Sequence, residues 1–165
     1  PMSILNGEGA HCEFTGVTFA GKGQYLDTGS KVVHNAPHTT SNINSKSISK
    51  DGGVCIYRGS VVINECAEGS KSNVSCESLM LDEQSQSDTI PAIVIKNDNV
   101  DLGHEAKIGR ISDEAIFYLM SRGLSEDEAR AMLVRGFVDP VSKALPLEYA
   151  VEMNNLINLE LKGSM

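Results

Sequence analysis

Ser41-Asn42-Ile43-Asn44-Ser45-Lys46-Ser47-Ile48, then Lys50-Asp51-Gly52-Gly53, then Val54-Cys55-Ile56-Tyr57: two β-leaning pieces flank a turn, and this pattern decides the fold. In the second piece Val54 and Ile56 alternate with Cys55 and Tyr57, the period of two that sends successive side chains to opposite faces of a strand. The turn is built from Asp and two glycines, residues that tolerate tight backbone. Outward from this centre the texture repeats. From Glu13 to about Asn99 the chain reads as short strands without helix: Phe14 to Phe19, Lys31 to His34, Ser41 to Ile48, Val54 to Tyr57, Val61 to Asn64, Asn73 to Leu81 and Ala92 to Lys96. Hairpin signals are few, and many outward positions are Ser, Thr or Asn rather than long charges. That suits a mainly β chain wound as a stacked β-solenoid better than a meander, with a sandwich or barrel as the alternative. No exact repeat sets a period; Ser45-Lys46-Ser47 and Ser70-Lys71-Ser72 match without establishing one.

At Gly109-Arg110-Ile111 the texture changes. Ser112-Asp113-Glu114 supplies a cap residue and two first-turn acids, followed by Ala115, Ile116, Leu119 and Met120 on one helical face, and Gly123 closes that helix. Ser125-Glu126-Asp127-Glu128 is a capping box that opens a second helix, with Ala129, Met132 and Leu133 at helical spacing. Arg135-Gly136 is expected to end it, and Asp139-Pro140 to break the chain. Pro146 suits the first position of a third helix with an apolar face of Leu147, Ala150, Val151, Met153, Leu156, Ile157 and Leu159. The expected division is residues 1–108 as β core and 109–165 as a small helical domain.

The 165 residues, 41% apolar and 22% charged, fall in the ordinary globular range, with a core poor in aromatics and no Trp. Net charge is −8, with an acid excess of −5 over residues 1–103 and −3 over 104–165. No basic stripe is available to displace counterions, so nucleic acid is not an expected partner. No run of 18 apolar residues suggests a membrane span, and Pro1-Met2-Ser3-Ile4-Leu5-Asn6 carries no export signal. The expected location is the cytoplasm, and the first residues read as the cut edge of a longer chain. Cys12, Cys55, Cys66 and Cys76 form no C-x-x-C pair, which excludes a zinc ribbon. His34 and His38 are four apart, but Pro37 and the polar run after them make that stretch a turn rather than a ligand-bearing helix.

Thr18-Phe19-Ala20-Gly21, Ser47-Ile48-Ser49-Lys50-Asp51-Gly52-Gly53, Tyr57-Arg58-Gly59, the segment around Cys76, the triplet His104-Glu105-Ala106 and the run Asp113 to Phe137 together resemble the SufB/SufD family of the SUF iron-sulfur cluster assembly system, its SufB branch more than its SufD branch. The resemblance covers essentially the whole chain and places it in the C-terminal part of longer family members. It implies the end of a right-handed parallel β-helix followed by a C-terminal helical domain. It further implies a non-catalytic scaffold for a transiently held iron-sulfur cluster, in a complex with the ATPase SufC and with SufD or a second SufB-like chain. Sulfur would come from a cysteine-desulfurase system. By that resemblance Cys76 is a cluster ligand, with Glu105 and His104 acting nearby. Gly103 stands where the family pattern has a further acid. The contact with SufC would fall on the helices, around Arg122, Gly123, Arg135 and Phe137.

Thiolate, imidazole and carboxylate form a fitting ligand set for such a cluster. Cys76 and Glu105 are 29 residues apart, a separation that a solenoid can return to neighbouring rungs. One thiolate cannot hold a cluster that usually takes four cysteines, so the cluster is expected to bridge two chains or to be held briefly. Cys12, Cys55 and Cys66 are expected to be packing or strand residues. The chain has no G-x-x-x-x-G-K-[ST] motif, so ATP hydrolysis would belong to a partner. Other functions fit the same residues: a SufD-like structural partner subunit or a β-solenoid dimerisation module without a cluster and, less favoured because the chain has no Trp for sugar stacking, a β-helix polysaccharide enzyme using Asp82, Glu83, Asp88 or Asp98.

Overall fold

The computed structural model describes residues 1–162; the last three positions of the expected helical domain lie outside the described residues. Eight strands come first: β1 (Met2–Leu5), β2 (His11–Ala20), β3 (Tyr25–His34), β4 (Thr40–Ser49), β5 (Val54–Ile63), β6 (Lys71–Met80), β7 (Gln86–Ile95) and β8 (Asp101–Arg110). They alternate between two parallel sheets, β1-β3-β5-β7 and β2-β4-β6-β8, so the chain winds as a β-solenoid. A sandwich or barrel of antiparallel strands is thereby ruled out. The pieces Val54 to Tyr57 and Val61 to Asn64 prove to be one strand running through Gly59. There the Tyr57 ring lies over the glycine, 3.2 Å from where a Cβ would stand, and fills the space a side chain would occupy.

One rung follows another after 29 residues for β1–β3, β2–β4 and β3–β5, but after 31 for β4–β6, 32 for β5–β7 and 30 for β6–β8. In this register Lys46 stacks on Glu77, not on Lys71, so the two Ser-Lys-Ser triplets are unrelated. The turns repeat as well. Asn35 donates through Nδ2 to Asn6 Oδ1 at 2.9 Å, and Asn64 to Asn35 Oδ1 at 2.6 Å, a ladder climbing the corner between the sheets. Three residues later each turn takes positive φ, at Gly9 (70°), His38 (56°) and the slightly displaced Gly69 (68°). This is the left-handed region that glycine enters without penalty. His38 therefore sits in a turn, as its sequence context indicates.

The sheets' inner faces enclose a narrow core of Leu5, Val32, Ile43, Tyr57, Val61, Ile63, Val74 and Cys76. On the outer face of the second sheet, Phe19, Ile48 and Leu79 stack in register into an apolar strip at the C-terminal ends of the strands. Helices α1 (Asp113–Met120), α2 (Glu126–Ala144) and α3 (Leu147–Lys162) follow, and α2 seats Val134 and Val138 on that strip with Ile157 of α3 beside them. Ser125 and Glu128 form the expected capping box.

Gly136 does not end α2, nor does Pro140 break it. The N–H that Pro140 lacks is the one that would bond the Gly136 carbonyl one turn earlier. Val134, Val138 and Val141 form a buried stripe spanning both residues, so packing overrides two local stop signals. On α3 the expected apolar face is only partly used: Ile157 is buried, while Leu147, Val151, Leu156 and Leu159 are exposed. Among the described residues no helix is long and apolar enough to cross a membrane.

Candidate functional site

Cys76 lies mid-way along β6 on the inner face, between Ser45 of β4 and Ala106 of β8 in the register, and only 2% of it is exposed. Burial pushes its thiol above the ordinary range, which favours the protonated form in this chain by itself. The strand above it is the last of its sheet. β8 carries His104 over Val74 and Glu105 over Ser75. Because side chains alternate, His104 shares the inner side with Cys76, two residues from its register partner, whereas Glu105 stands on the outer side.

The structure thus brings Cys76 and His104 to one face of adjacent strands and leaves Glu105 across the sheet. There the Glu105 carboxylate pairs with Lys107 at 3.0 Å. The hydrogen bond to Glu105 holds the Lys107 ammonium above its usual range. Gly103 faces outward over Asn73, and a Cβ on it would stand 3.0 Å from Asn73 Oδ1, a tight fit for any larger residue. Among the described residues no group of three or more His, Cys, Asp or Glu side chains is gathered to hold a metal ion.

Among the described residues no further strand pairs above β7 and β8. The inner sides of these strands present Ile93, Ile95 and Ile108, each 40% to 48% exposed. Pro91 of β7 has no backbone N–H to offer, a residue tolerated on an edge strand. The remaining cysteines divide. Cys55 is buried and donates to Ile48 O at 3.4 Å, and Cys12 packs partly against the core, as expected of strand residues. Cys66 departs from expectation: it is exposed in a turn, its Sγ 2.9 Å from Asn35 O, because the β5–β6 connection is long enough to lift it off the solenoid.

Among the carboxylates considered for sugar chemistry, Asp82 is occupied as a staple. Burial alone would raise its carboxyl, but hydrogen bonds from Ser85 Oγ and from the amides of Asp51, Ser85 and Gln84 hold it below the usual range. Glu83 pairs with Arg110.

On the helices, Arg122 reaches Tyr118 Oη at 3.2 Å beside Gly123, whose φ of 97° closes the turn after α1. Both are exposed, as are Phe117 and Tyr118 nearby. Arg135 is tied to Asn158 of α3 at 2.7 Å. Phe137 is half-buried on the sheet, with the Lys46 ammonium 4.4 Å from its ring centroid, and Lys46 also pairs with Glu77. The row Lys46, Glu77, Lys107 was not singled out from sequence. Its signal there is the placing of Lys107 two residues after Glu105, on the same side of a strand.

A parallel β-solenoid with a cysteine one rung inside an open end, and helices seated on its flank, defines a class of solenoid core domain. The chain belongs to the SufBD family: residues 1–137 match the profile described as SUF system FeS cluster assembly, SufBD core domain. It is 54% identical over all 165 residues to the iron-sulfur cluster assembly protein SufB of Bacillus subtilis. It is equally similar, at 54%, to iron-sulfur cluster assembly SufBD family proteins of Staphylococcus saprophyticus and Staphylococcus haemolyticus. In each case the whole of this chain is covered but only 36% of the relative, so the chain spans about a third of the length of these curated relatives.

Proposed function

We propose that this chain is the cluster-bearing part of a scaffold on which an iron-sulfur cluster is built and briefly held. The observation that carries the reading is the position of Cys76: a thiol one rung beneath an edge strand that bears an imidazole and a carboxylate. A lone buried thiol cannot ligate a cluster within a closed core, whereas an open end lets a second chain complete both the rung and the ligand set. Cys76, His104 and Glu105 are the ligands contributed here, with Glu105 reaching the cluster around the edge of β8. The cluster is cargo rather than a resident cofactor.

Family membership supports the choice of partners. They are SufD or a second SufB-like chain at the open end, a cysteine-desulfurase system as sulfur donor, and the ATPase SufC. SufC would dock on the helical part, residues 109–165, while residues 1–108 carry the cluster. Within the helical part Arg122, Gly123 and the exposed Phe117 and Tyr118 offer the more accessible docking corner; Arg135 and Phe137 act there indirectly, by tying α2 to α3 and to the sheet. The scaffold catalyses nothing itself, and its place of work is the cytoplasm.

The test is anaerobic reconstitution of the intact protein, assembled with its partners, with iron and sulfide. Wild type and Cys76→Ser are compared by visible absorption, iron counting and far-ultraviolet circular dichroism. Loss of cluster accumulation in a variant that still assembles supports the reading; equal accumulation in both refutes it. The exposed Ile93, Ile95 and Ile108 favour a second reading, pairing at the open end without a cluster. Under that reading Cys76→Ser assembles and accumulates cluster no differently from wild type.

A further inference from the structure

Across the outer face of the second sheet a row of charges runs from α2 to the edge of β8. Lys46 of β4 lies against the Phe137 ring of α2 and pairs with Glu77 of β6. Glu77 is the register partner of Lys107 on β8. Lys107 in turn holds the Glu105 carboxylate at 3.0 Å. Lys107 thus stands between two acids, one beneath it on the next rung and one two residues back on its own strand. It lines a shallow depression together with Glu77, Ala106, Ile108 and Phe137.

We propose that Lys107 is a positioning residue that holds Glu105 on the outer face, and that Lys46, seated beneath α2, sets the strength of that hold by keeping Glu77 occupied. The proposal rests on the reading of Glu105 as a cluster ligand given above. An ammonium shared between two carboxylates divides its attraction between them. While Lys46 satisfies Glu77, Lys107 is left to Glu105; without Lys46, Glu77 draws Lys107 toward itself and Glu105 is released toward the free edge of β8. The helix that seats on the sheet thereby reaches a ligand on the last rung through two ion pairs.

The experiment titrates the intact protein, assembled with its partners, with Co(II) under anaerobic conditions. The thiolate-to-Co(II) absorption that disappears in Cys76→Ser defines the site. Releasing one exposed ion pair should tighten Co(II) binding in Lys107→Ala by about twofold to fivefold. Lys107→Arg should return it to the wild-type value, and Lys46→Met should tighten it in the same direction. In a Glu105→Gln background Lys107→Ala should change nothing.

Tightening that persists in that background would mean a general effect of charge and would overturn the proposal. If Glu105→Gln weakens binding while Lys107→Ala leaves it unchanged, Glu105 is a ligand and Lys107 does not position it. If Lys46→Met has no effect, the link to α2 falls. If Glu105→Gln leaves the Cys76-dependent signal unchanged, the ligand reading fails and the positioning role with it. Circular dichroism of each variant separates these outcomes from unfolding.

Discussion

Replacing His34 by Gln should flatten the dependence of stability on pH below neutrality. The ring closes β3 with no exposed surface, its Nδ1 2.8 Å from Thr39 Oγ1 and its Nε2 2.9 Å from Ser41 Oγ. Those hydroxyls continue to Ser70 at 2.7 Å and Ser72 at 2.8 Å, a buried polar ladder joining two rungs. A neutral imidazole donates to one hydroxyl and accepts from the other; an imidazolium would need two acceptors and finds no carboxylate among these partners. Burial accordingly holds the His34 pKa below its ordinary value.

The unfolded chain takes up a proton near pH 6.5 that the folded chain refuses. The contribution of His34 is therefore intact above pH 6.5 and is lost as pH falls from there toward the lower folded-state pKa, at up to about 1.4 kcal/mol per pH unit. In urea denaturation of wild type and His34→Gln at pH 7.5 and 5.5, the stability gap between them should narrow by as much as about 1.4 kcal/mol at the lower pH. The other three histidines are common to both proteins. A gap that stays constant would mean that His34 accepts its proton in the folded state, and the argument from burial would be wrong.

Three further substitutions test how the solenoid is closed and capped. At Gly53 a Cβ would stand 2.3 Å from Ala20 O and 2.8 Å from Gly21 O, so Gly53→Ala must push one rung's turn off the next and should cost about 3 kcal/mol in thermal or chemical unfolding. Gly136→Ala, in the middle of α2 with open space around it, should by contrast stabilise by about 1 kcal/mol. Ile48→Ala removes the fully buried centre of the strip beneath α2. It should cost about 2 to 5 kcal/mol, and hydrogen exchange should show the loss in α2 before the inner strands.

The strand-rich half was legible because alternation within each strand is local: Val54 to Tyr57 shows it in four residues. The solenoid's period was not, since the rungs differ by up to three residues and the excess sits in the turns, chiefly the long β5–β6 connection. A spacing of 29 was nonetheless written in Asn6, Asn35 and Asn64, whose side chains prove to be the corner ladder. The outer strip Phe19, Ile48 and Leu79 was equally present but unreadable, because an apolar residue on a strand's outer side says nothing until a helix is known to cover it. The same ignorance of tertiary contact made Gly136 and Pro140 look like ends. At the candidate site, Cys76 and the His104-Glu105 pair stood out by resemblance, and their separation did place them on neighbouring strands. Which face each side chain takes depends on a register of 30 between β6 and β8, one residue more than the Cys76–Glu105 separation.

That single residue has a chemical consequence. With Ala106 as the register partner of Cys76, Glu105 and His104 fall one and two positions earlier, on opposite sides of the sheet. His104 comes in on the core side and Glu105 on the flank side, so a ligand set spanning both must form around the strand's edge rather than within the core. An edge is also where β8 still has backbone donors and acceptors to pair. Strand pairing by a second chain would fix β8 at the moment it brought more ligands to the same place, coupling assembly of the complex to completion of the site. A cluster bound that way would be lost when the chains part, the behaviour expected of cargo on a scaffold.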